Sequence, residues 1–264
     1  MSEWYRAYVF DLDGTVYLGD ELLPGAREVV ERIRARGAAV RFVSNNPTLR
    51  LDDYQAKLAR LGLSVRPDEL VTSLVTTTRW LARHRPEAVV FPIGEAPLRE
   101  ALAAAGIATS EDPAEIDIVL ASYDRGFDYR KLQIAFDALW FHRRAVLMST
   151  NPDRFCPFPG GRGEPDAASI VAAIETASQV RLERTFGKPS AVMAELALDG
   201  LGVPPHQAVM VGDRLHTDIA MGRRHGMAAA LVLTGDSTED DIAAVPEAER
   251  PTMVLRSLAE LLPG

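Results

Sequence analysis

Short apolar runs alternate with amphipathic segments in the first part of the chain. Tyr5–Phe10 and Ala38–Val43 are β-rich runs, and the segment between them, Ala26–Arg36, repeats apolar residues at helical spacing. Gly37 ends this predicted helix. A strand, a helix and a strand within so short a stretch form a βαβ unit, which implies a parallel sheet with a right-handed crossover.

The same pattern continues to the C-terminus and predicts an α/β fold: a Rossmann-like parallel sheet core with helices on both faces, plus an inserted αβ domain. We expect core segments at residues 1–80 and 179–264 and the inserted domain at 81–178, with a proline- and glycine-rich loop at Asn151–Pro165. The other predicted strands are Val89–Ile93, Ile116–Ser122, Ala145–Ser149, Gln207–Val211, Ala228–Thr234 and Thr252–Leu255. The other predicted helices are Thr48–Leu61, one from about Ser73, Ala96–Ala105, Tyr129–His142, Ala167–Ser178, Ala191–Leu201, Thr217–His225 and one after Leu255.

Composition and charge narrow the classes of partner. The 264 residues are 47% apolar and 25% charged, with a formal net charge of −8, which argues against nucleic acid and anionic membranes as partners. No apolar run approaches the ~20 residues of a spanning helix, and the N-terminal residues lack the pattern of a secretion signal. The single cysteine, Cys156, permits no internal disulfide. We therefore expect a cytoplasmic protein.

Two carboxylates one residue apart follow the first strand, in the stretch Val9-Phe10-Asp11-Leu12-Asp13-Gly14-Thr15. In an extended chain, Asp11 and Asp13 would point to the same side, and two such charges are costly without a cation or a proton. Asp-Gly is also common turn chemistry. The pattern does not fit a calcium loop, whereas a hard cation held by two carboxylates and substrate oxygens is typical of magnesium.

Three further polar clusters follow predicted strands or turns: Ser44-Asn45-Asn46, Gly187-Lys188-Pro189 and Val211-Gly212-Asp213. Each could be an ordinary turn or strand exit. Together they supply a hydroxyl and backbone N–H groups for a phosphate, a compact positive charge, and a further carboxylate. Phosphoryl transfer depends mainly on such positioning and charge neutralisation. Ligands bind at the carboxyl ends of parallel strands, so these clusters are expected to converge.

The clusters resemble, in order, the four motifs of the haloacid dehalogenase superfamily. The motifs are Asp11-Leu12-Asp13-Gly14-Thr15, Ser44-Asn45, Gly187-Lys188-Pro189 and Val211-Gly212-Asp213-Arg214-Leu215-His216-Thr217-Asp218. The last motif and Leu233-Thr234-Gly235 resemble, more narrowly, the branch of 4-nitrophenyl phosphate, phosphoglycolate, pyridoxal phosphate and nucleotide phosphatases.

This resemblance implies a role for each matching residue. Asp11 would be the nucleophile that forms an aspartyl-phosphate, and Asp13 would be the general acid and then the general base. The phosphoryl group would be held by Ser44, Asn45 and Asn46, and its charge would be offset by Lys188. Asp218 would orient Lys188 or a metal-bound water. The Mg²⁺ ligands would be Asp11, the main-chain carbonyl of Asp13, and Asp213.

The spacing of the motifs assigns the inserted domain to a cap. Ser44 follows Asp11 by 33 residues, too few for an extra domain, whereas 144 residues separate Ser44 from Lys188. The resemblance implies that this cap closes over the site and contacts the substrate. The specificity candidates are Asp124, Arg125 and Phe127, together with the loop from Arg154 to Gly163. The run Pro165-Asp166-Ala167-Ala168-Ser169 stands where relatives often carry Pro-Gly-x-Gly-Ser, so no relative's substrate transfers directly.

The expected function is a magnesium-dependent phosphatase of small phosphomonoesters, such as sugar phosphates, phosphoglycolate-like acids, nucleoside monophosphates or pyridoxal phosphate. A phosphotransferase or mutase on the same aspartyl-phosphate is an alternative, and so is a non-enzymatic receiver-like module that is phosphorylated on an aspartate. Relatives often pair through the cap, so a homodimer is a further expectation. Trp140 and Phe141 fit either that contact or burial in the cap core.

Overall fold

The computed structural model describes residues 4–158 and 162–263, which form two compact units. The first unit comprises the chain up to Ser44, Leu51–Val71 and the chain from Lys188 onwards. The second unit comprises Asn45–Arg50 and Thr72–Gly187 and is therefore inserted into the sequence of the first. We call them the core unit and the inserted unit.

The core unit is built mainly of strands and helices that alternate along the chain. A short antiparallel pair of strands, Tyr17–Leu18 and Glu21–Leu22, follows the first strand. In chain order its elements are β1 (Ala7–Asp11), β2 (Tyr17–Leu18), β3 (Glu21–Leu22), α1 (Ala26–Ala35), β4 (Ala39–Ser44), α2 (Leu51–Arg60) and β5 (Leu70–Thr72) before the insertion.

The inserted unit also alternates strands and helices. In chain order its elements are α3 (Ser73–His84), β6 (Val90–Ile93), α4 (Ala96–Ala104), β7 (Ile118–Ala121), α5 (Tyr129–Phe136), β8 (Val146–Ser149), β9 (Phe155–Phe158), β10 (Arg162–Pro165), α6 (Ala167–Ser178) and β11 (Leu182–Thr185). Four of these strands form a sheet in the order β11-β8-β7-β6, with all neighbouring strands parallel. Two further strands, β9 and β10, form an antiparallel pair.

After the insertion the chain returns to the core unit. The elements of this last segment are α7 (Ala191–Leu198), β12 (Ala208–Gly212), α8 (Ala220–Arg224), β13 (Ala228–Val232), α9 (Glu239–Ala244) and β14 (Met253–Leu255). Its strands complete the sheet of the core unit, in the order β14-β13-β12-β1-β4-β5. Across the described ranges, no helix combines the length and apolar character needed to cross a membrane.

Strand β1 lies inside the core sheet and pairs in parallel with β12 on one side and β4 on the other. Its residues alternate between two buried faces. Ala7 and Val9 pack with Met193 of α7, while the Tyr8 and Phe10 rings stack at a centroid distance of 6.3 Å. Every residue of β1 is buried, as expected for a parallel strand covered by helices on both faces. The predicted fold class is confirmed.

The inserted unit begins before residue 81 and ends after residue 178, which were the boundaries expected for the inserted domain. Its N-terminal helix, α3, starts at Ser73, and its last strand, β11, extends the sheet by pairing with β8. The sequence of β11, Leu-Glu-Arg-Thr, has no apolar run, and none of its four residues is buried at this edge of the sheet.

Several predicted elements are wrong. The segment Asn151–Pro165 is not all loop, because Phe155–Phe158 pairs with Arg162–Pro165 as a hairpin; residues 159–161 lie outside the described residues. The predicted C-terminal helix is only a 3₁₀ turn, Leu258–Glu260. Two predicted helices are shorter than expected, because π-helical turns at Asp137–Phe141 and Leu215–Ile219 replace part of each. The sequence pattern also missed β5, β11 and α9, which are short or rich in charge.

Candidate active site

Three neighbouring strands of the core sheet end in polar residues. β1 ends at Asp11, β4 ends at Ser44, and Asp213 directly follows β12. Because β12, β1 and β4 run in parallel side by side, their carboxyl ends lie at the same edge of the sheet. Three segments that are far apart in sequence therefore place a polar side chain at one edge.

Lys188 is the buried cation of this edge. Only 3% of the residue is exposed, and its ammonium group forms ion pairs with Asp11 and, at 2.7 Å, with Asp218. Burial alone would lower the pKa of Lys188, but the carboxylates of Asp11 and Asp218 outweigh burial and raise this pKa above its ordinary value. The side chain is therefore a fixed positive charge at neutral pH.

Three buried carboxylates form a cluster at this edge, and two of them contact Lys188. Asp11, Asp213 and Asp218 each place a carboxylate oxygen within 4.8 Å of the others. Burial raises the pKa of Asp11 well above its ordinary value, against the opposing effect of Lys188, and the charges of Asp218 and Asp213 raise it further. Burial and the charge of Asp218 raise the pKa of Asp213 to about 6. Three ionised carboxylates would carry more negative charge than Lys188 balances, so the cluster favours a bound proton or a second cation.

This donor set fits a divalent cation. All three side chains offer carboxylate oxygen, which is the ligand that Mg²⁺ prefers in proteins. Asp218 is already bound by Lys188 and by the main-chain N–H of Arg214, which donates to Asp218 Oδ2 at 3.0 Å. All three carboxylates therefore have protein partners, and the assignment of Asp11 and Asp213 as the metal ligands stays a prediction.

A main-chain N–H and a side-chain hydroxyl contact the two oxygens of Asp213. The N–H of Asp236 donates to Asp213 Oδ2 at 2.8 Å, and the hydroxyl of Thr15 approaches Oδ1 at 3.5 Å. Two glycines also pack against this carboxylate: a Cβ atom on Gly14 would lie 2.6 Å from Oδ2, and one on Gly235 would overlap it. Only residues without a side chain fit these two positions.

Replacement of Gly14 by alanine is expected to displace Asp213 and to weaken Mg²⁺ binding by about 10- to 100-fold, the usual effect of disturbing the groups that orient a metal ligand. Isothermal titration with Mg²⁺ measures this change. Gly14 has a φ of +84°, so alanine also strains the backbone.

Gly19→Ala is the matched control for Gly14→Ala. Gly19 has a φ of +59°, but nothing lies within 4 Å of the added Cβ atom. This variant has similar backbone strain without contact with Asp213 and should bind Mg²⁺ like the wild-type protein. Equal Mg²⁺ affinities of the two variants would contradict the packing argument.

Asp13 lies outside the carboxylate cluster and is bound by Tyr17. The Tyr17 hydroxyl donates to Asp13 Oδ2 at 3.0 Å, and the Lys57 ammonium lies 3.8 Å from the centroid of the Tyr17 ring. Solvent reaches the Asp13 side chain, but the surrounding protein removes part of the hydration of its carboxyl group. This partial desolvation raises the pKa of Asp13. The sequence did not identify Tyr17 or Lys57, because 40 residues separate them and no motif links them.

The residues of the second motif are divided between the two units. Ser44 Oγ is 2.8 Å from the hydroxyl of Tyr54, within the core unit. Asn45 and Asn46 belong to the inserted unit, where Asn45 Nδ2 donates to Asp153 Oδ2 at 2.9 Å. Asn46 Oδ1 accepts hydrogen bonds from the main-chain N–H and the hydroxyl of Thr48, which shapes the turn before α2. Their contribution to phosphate binding stays a prediction.

The three specificity candidates of the inserted unit have contacts inside that unit. Asp124 is buried and binds Lys131 at 2.7 Å, and both oxygens of Glu95 accept hydrogen bonds from Arg125 at 2.7 and 2.8 Å. Phe127 packs against the apolar core of the unit. These contacts order the loop after β7, and the role of the three residues in specificity stays a prediction.

Comparison with known proteins assigns the family. Residues 8–108 match the family described as haloacid dehalogenase-like hydrolase, and residues 185–261 match a second family described as HAD-hydrolase-like. The chain is 35% identical to the sugar phosphatase AraL of Bacillus subtilis over 88% of this chain and 85% of that protein. It is also 35% identical to human chronophin, over 98% of this chain and 93% of that protein.

A solved structure agrees with these sequence relatives. The structure of 4-nitrophenylphosphatase from Thermotoga maritima superposes with a TM-score of 0.90 at 33% identity, covering 97% of this chain and 96% of that one. The resemblance drawn from the four motifs is therefore confirmed, and the chain belongs to the haloacid dehalogenase superfamily of hydrolases.

Proposed function

We propose that this protein is a magnesium-dependent phosphatase of small phosphomonoesters that works through an aspartyl-phosphate on Asp11. The observation that carries the proposal is the buried contact of Asp11 with Lys188 inside a cluster of three carboxylates. A nucleophile for a phosphate ester needs nearby positive charge. This edge of the core sheet combines the permanent charge of Lys188 with carboxylate ligands for a metal cation. The names of the relatives, which are sugar and 4-nitrophenyl phosphatases among others, support the same reaction class.

Mg²⁺ would be held by Asp11, by Asp213 and by the main-chain carbonyl of Asp13. When bound, it supplies positive charge that neutralises the phosphoryl oxygens and the carboxylates. Lys188 offsets charge beside Asp11, and Asp218 holds Lys188 in that position. Ser44 and the main-chain N–H groups of Asn45 and Asn46 bind the phosphoryl oxygens.

The chain's own residues carry two successive displacements at phosphorus. In the first, an oxygen of Asp11 bonds to phosphorus while the ester P–O bond breaks, and Asp13 gives its proton to the departing alkoxide, which leaves as the alcohol. In the second, water loses a proton to Asp13 and bonds to phosphorus as the bond to Asp11 breaks. Inorganic phosphate leaves, and both aspartates return to their starting states.

A panel of phosphate esters tests this proposal. The purified protein is incubated with 4-nitrophenyl phosphate, sugar phosphates, nucleoside monophosphates, phosphoglycolate and pyridoxal phosphate, with Mg²⁺ or with a chelator, in water enriched in heavy oxygen. We expect Mg²⁺-dependent release of phosphate that carries one oxygen from water. Transfer of unlabelled phosphoryl groups to an acceptor would instead indicate a phosphotransferase, and a stable phosphoprotein without turnover would indicate a signalling module.

The proposal extends to the assembly and location of the protein. Trp140 and Phe141 are 48% and 68% exposed, so burial in the core of the inserted unit does not account for them. We propose that they contribute to a homodimer through the inserted unit, which sedimentation of the purified protein would detect. The single cysteine fits a protein that works in the reducing cytoplasm.

A further inference from the structure

We propose that Tyr17 is a positioning residue for proton transfer: its hydroxyl group binds one oxygen of Asp13 and so assigns the other oxygen to the leaving group. This inference rests on the proposed function, in which Asp13 protonates the departing alkoxide. It adds a residue from outside the four motifs to the same reaction.

The contact joins a buried side chain to an exposed one. The Tyr17 ring is fully buried, whereas solvent reaches the Asp13 side chain. The hydrogen bond runs from the Tyr17 hydroxyl to Asp13 Oδ2 at 3.0 Å. The protein therefore binds Asp13 through Oδ2, and the proposal assigns Oδ1 to the substrate.

Several contacts fix the position of the tyrosine itself. Its main-chain N–H donates to the carbonyl of Leu12 at 3.1 Å, and its carbonyl accepts from the N–H of Gly14 at 2.8 Å. The ammonium group of Lys57, on α2, lies over the face of the ring, 3.8 Å from the centroid. The ring is thus held by the turn that carries Asp13 and by a helix that starts beyond β4.

This arrangement has a consequence for the proton. In a carboxylic acid one oxygen carries the proton and the other accepts hydrogen bonds. Because Tyr17 donates to Oδ2, the proton of Asp13 is placed on Oδ1. Without that bond the carboxyl group can rotate, and a group that is about 1 Å out of place can cost up to roughly 100-fold in rate.

The effect of Tyr17 should depend on how strongly the leaving group needs a proton. A nitrophenolate leaves easily as the anion, whereas an unsubstituted phenolate is more basic and needs more help from a general acid. Phenyl phosphates with different ring substituents have nearly the same shape but leaving groups of different basicity. A comparison within this series therefore reports the need for a proton and not differences in substrate binding. The parameter to compare is kcat/KM, because it covers the steps up to cleavage of the ester bond.

For Tyr17→Phe we expect a loss of about tenfold in kcat/KM with phenyl phosphate and of no more than about twofold with 4-nitrophenyl phosphate. The logarithm of kcat/KM should therefore fall more steeply with leaving-group basicity than in the wild-type protein. Lys57→Met leaves the hydroxyl in place but removes the cation over the ring, so we expect a loss of about threefold in the same direction.

Tyr8→Phe is the matched control. Tyr8 is also a buried tyrosine of the core unit, and its hydroxyl accepts a hydrogen bond only from the main-chain N–H of Tyr5 among the contacts described. This variant should keep the wild-type dependence on the leaving group. Thermal unfolding of all the variants separates loss of folding from loss of positioning, and Lys57→Met gives a second measurement if Tyr17→Phe is unstable.

Two outcomes would overturn the inference: an equal loss with both esters in Tyr17→Phe, which is the mark of a merely structural role, or unchanged kinetics with both. A wild-type protein that hydrolyses neither these two esters nor any other ester of the panel overturns the proposed function and this inference with it. A wild-type protein that is active while Tyr17→Phe keeps the wild-type slope overturns the inference alone.

Discussion

Asp11→Asn is expected to lower kcat by about 10⁴-fold or more, because the amide cannot form the covalent intermediate. The fold should survive this change. Burial and neighbouring carboxylates raise the pKa of Asp11, so loss of its charge relieves repulsion within the cluster. Lys188 keeps its second partner, Asp218. Phosphate release from 4-nitrophenyl phosphate measures the activity, and thermal unfolding measures the fold.

Glu69→Gln is the matched control for this substitution. Glu69 is another buried carboxylate of the core unit and forms an ion pair with Arg34 at 2.7 Å, apart from the carboxylate cluster. Its amide variant is expected to lose stability but to keep the kcat of the folded protein. Substantial turnover by folded Asp11→Asn would contradict the assignment of Asp11 as the nucleophile.

Lys188→Met is expected to lower both activity and stability. Removal of the cation leaves Asp11 and Asp218 buried without their partner, which typically costs about 3–5 kcal/mol of unfolding free energy. The loss of a preorganised charge beside the phosphoryl group should lower kcat by about 100- to 1,000-fold. Mg²⁺ should restore part of the stability, because it supplies positive charge to the same carboxylates. Urea unfolding with Mg²⁺ and with a chelator measures this recovery.

Arg34→Met is the control that separates the loss of stability from the loss of activity. It also removes the cation of an ion pair whose carboxylate is buried, since the Glu69 side chain is only 3% exposed. This variant should lose stability without recovery by Mg²⁺ and should keep the kcat of the wild-type protein. The charge-balancing role of Lys188 would be contradicted if Lys188→Met lost the same stability with and without Mg²⁺.

The position of the main polar residues follows from the sequence because each one ends an apolar run. Val9-Phe10 before Asp11 and Met210-Val211 before Asp213 are buried strands, and parallel pairing brings their ends together. The family was likewise recognisable, since its motifs are short and local. The α/β class followed from alternating strand and helix patterns.

Other features depend on contacts that no local pattern records. Lys57 lies over Tyr17 only because α2 packs near the turn after β1, so neither residue shows its partner in the sequence. The hairpin of β9 and β10 is hidden because proline and glycine, which disfavour strands, are common in that segment. A π-helical turn at Leu215–Ile219 also has the apolar spacing of an ordinary helix.

The division of the chain into two units has a consequence for how this enzyme can diverge. The inserted unit contributes none of the three clustered carboxylates, and Lys188 is the first residue after it. Substitutions in residues 72–187 can therefore accumulate without changing the groups that react with phosphorus. Descendants of this gene can therefore vary in the insertion while selection preserves the reacting groups of the core unit, and this separation makes the fold evolvable.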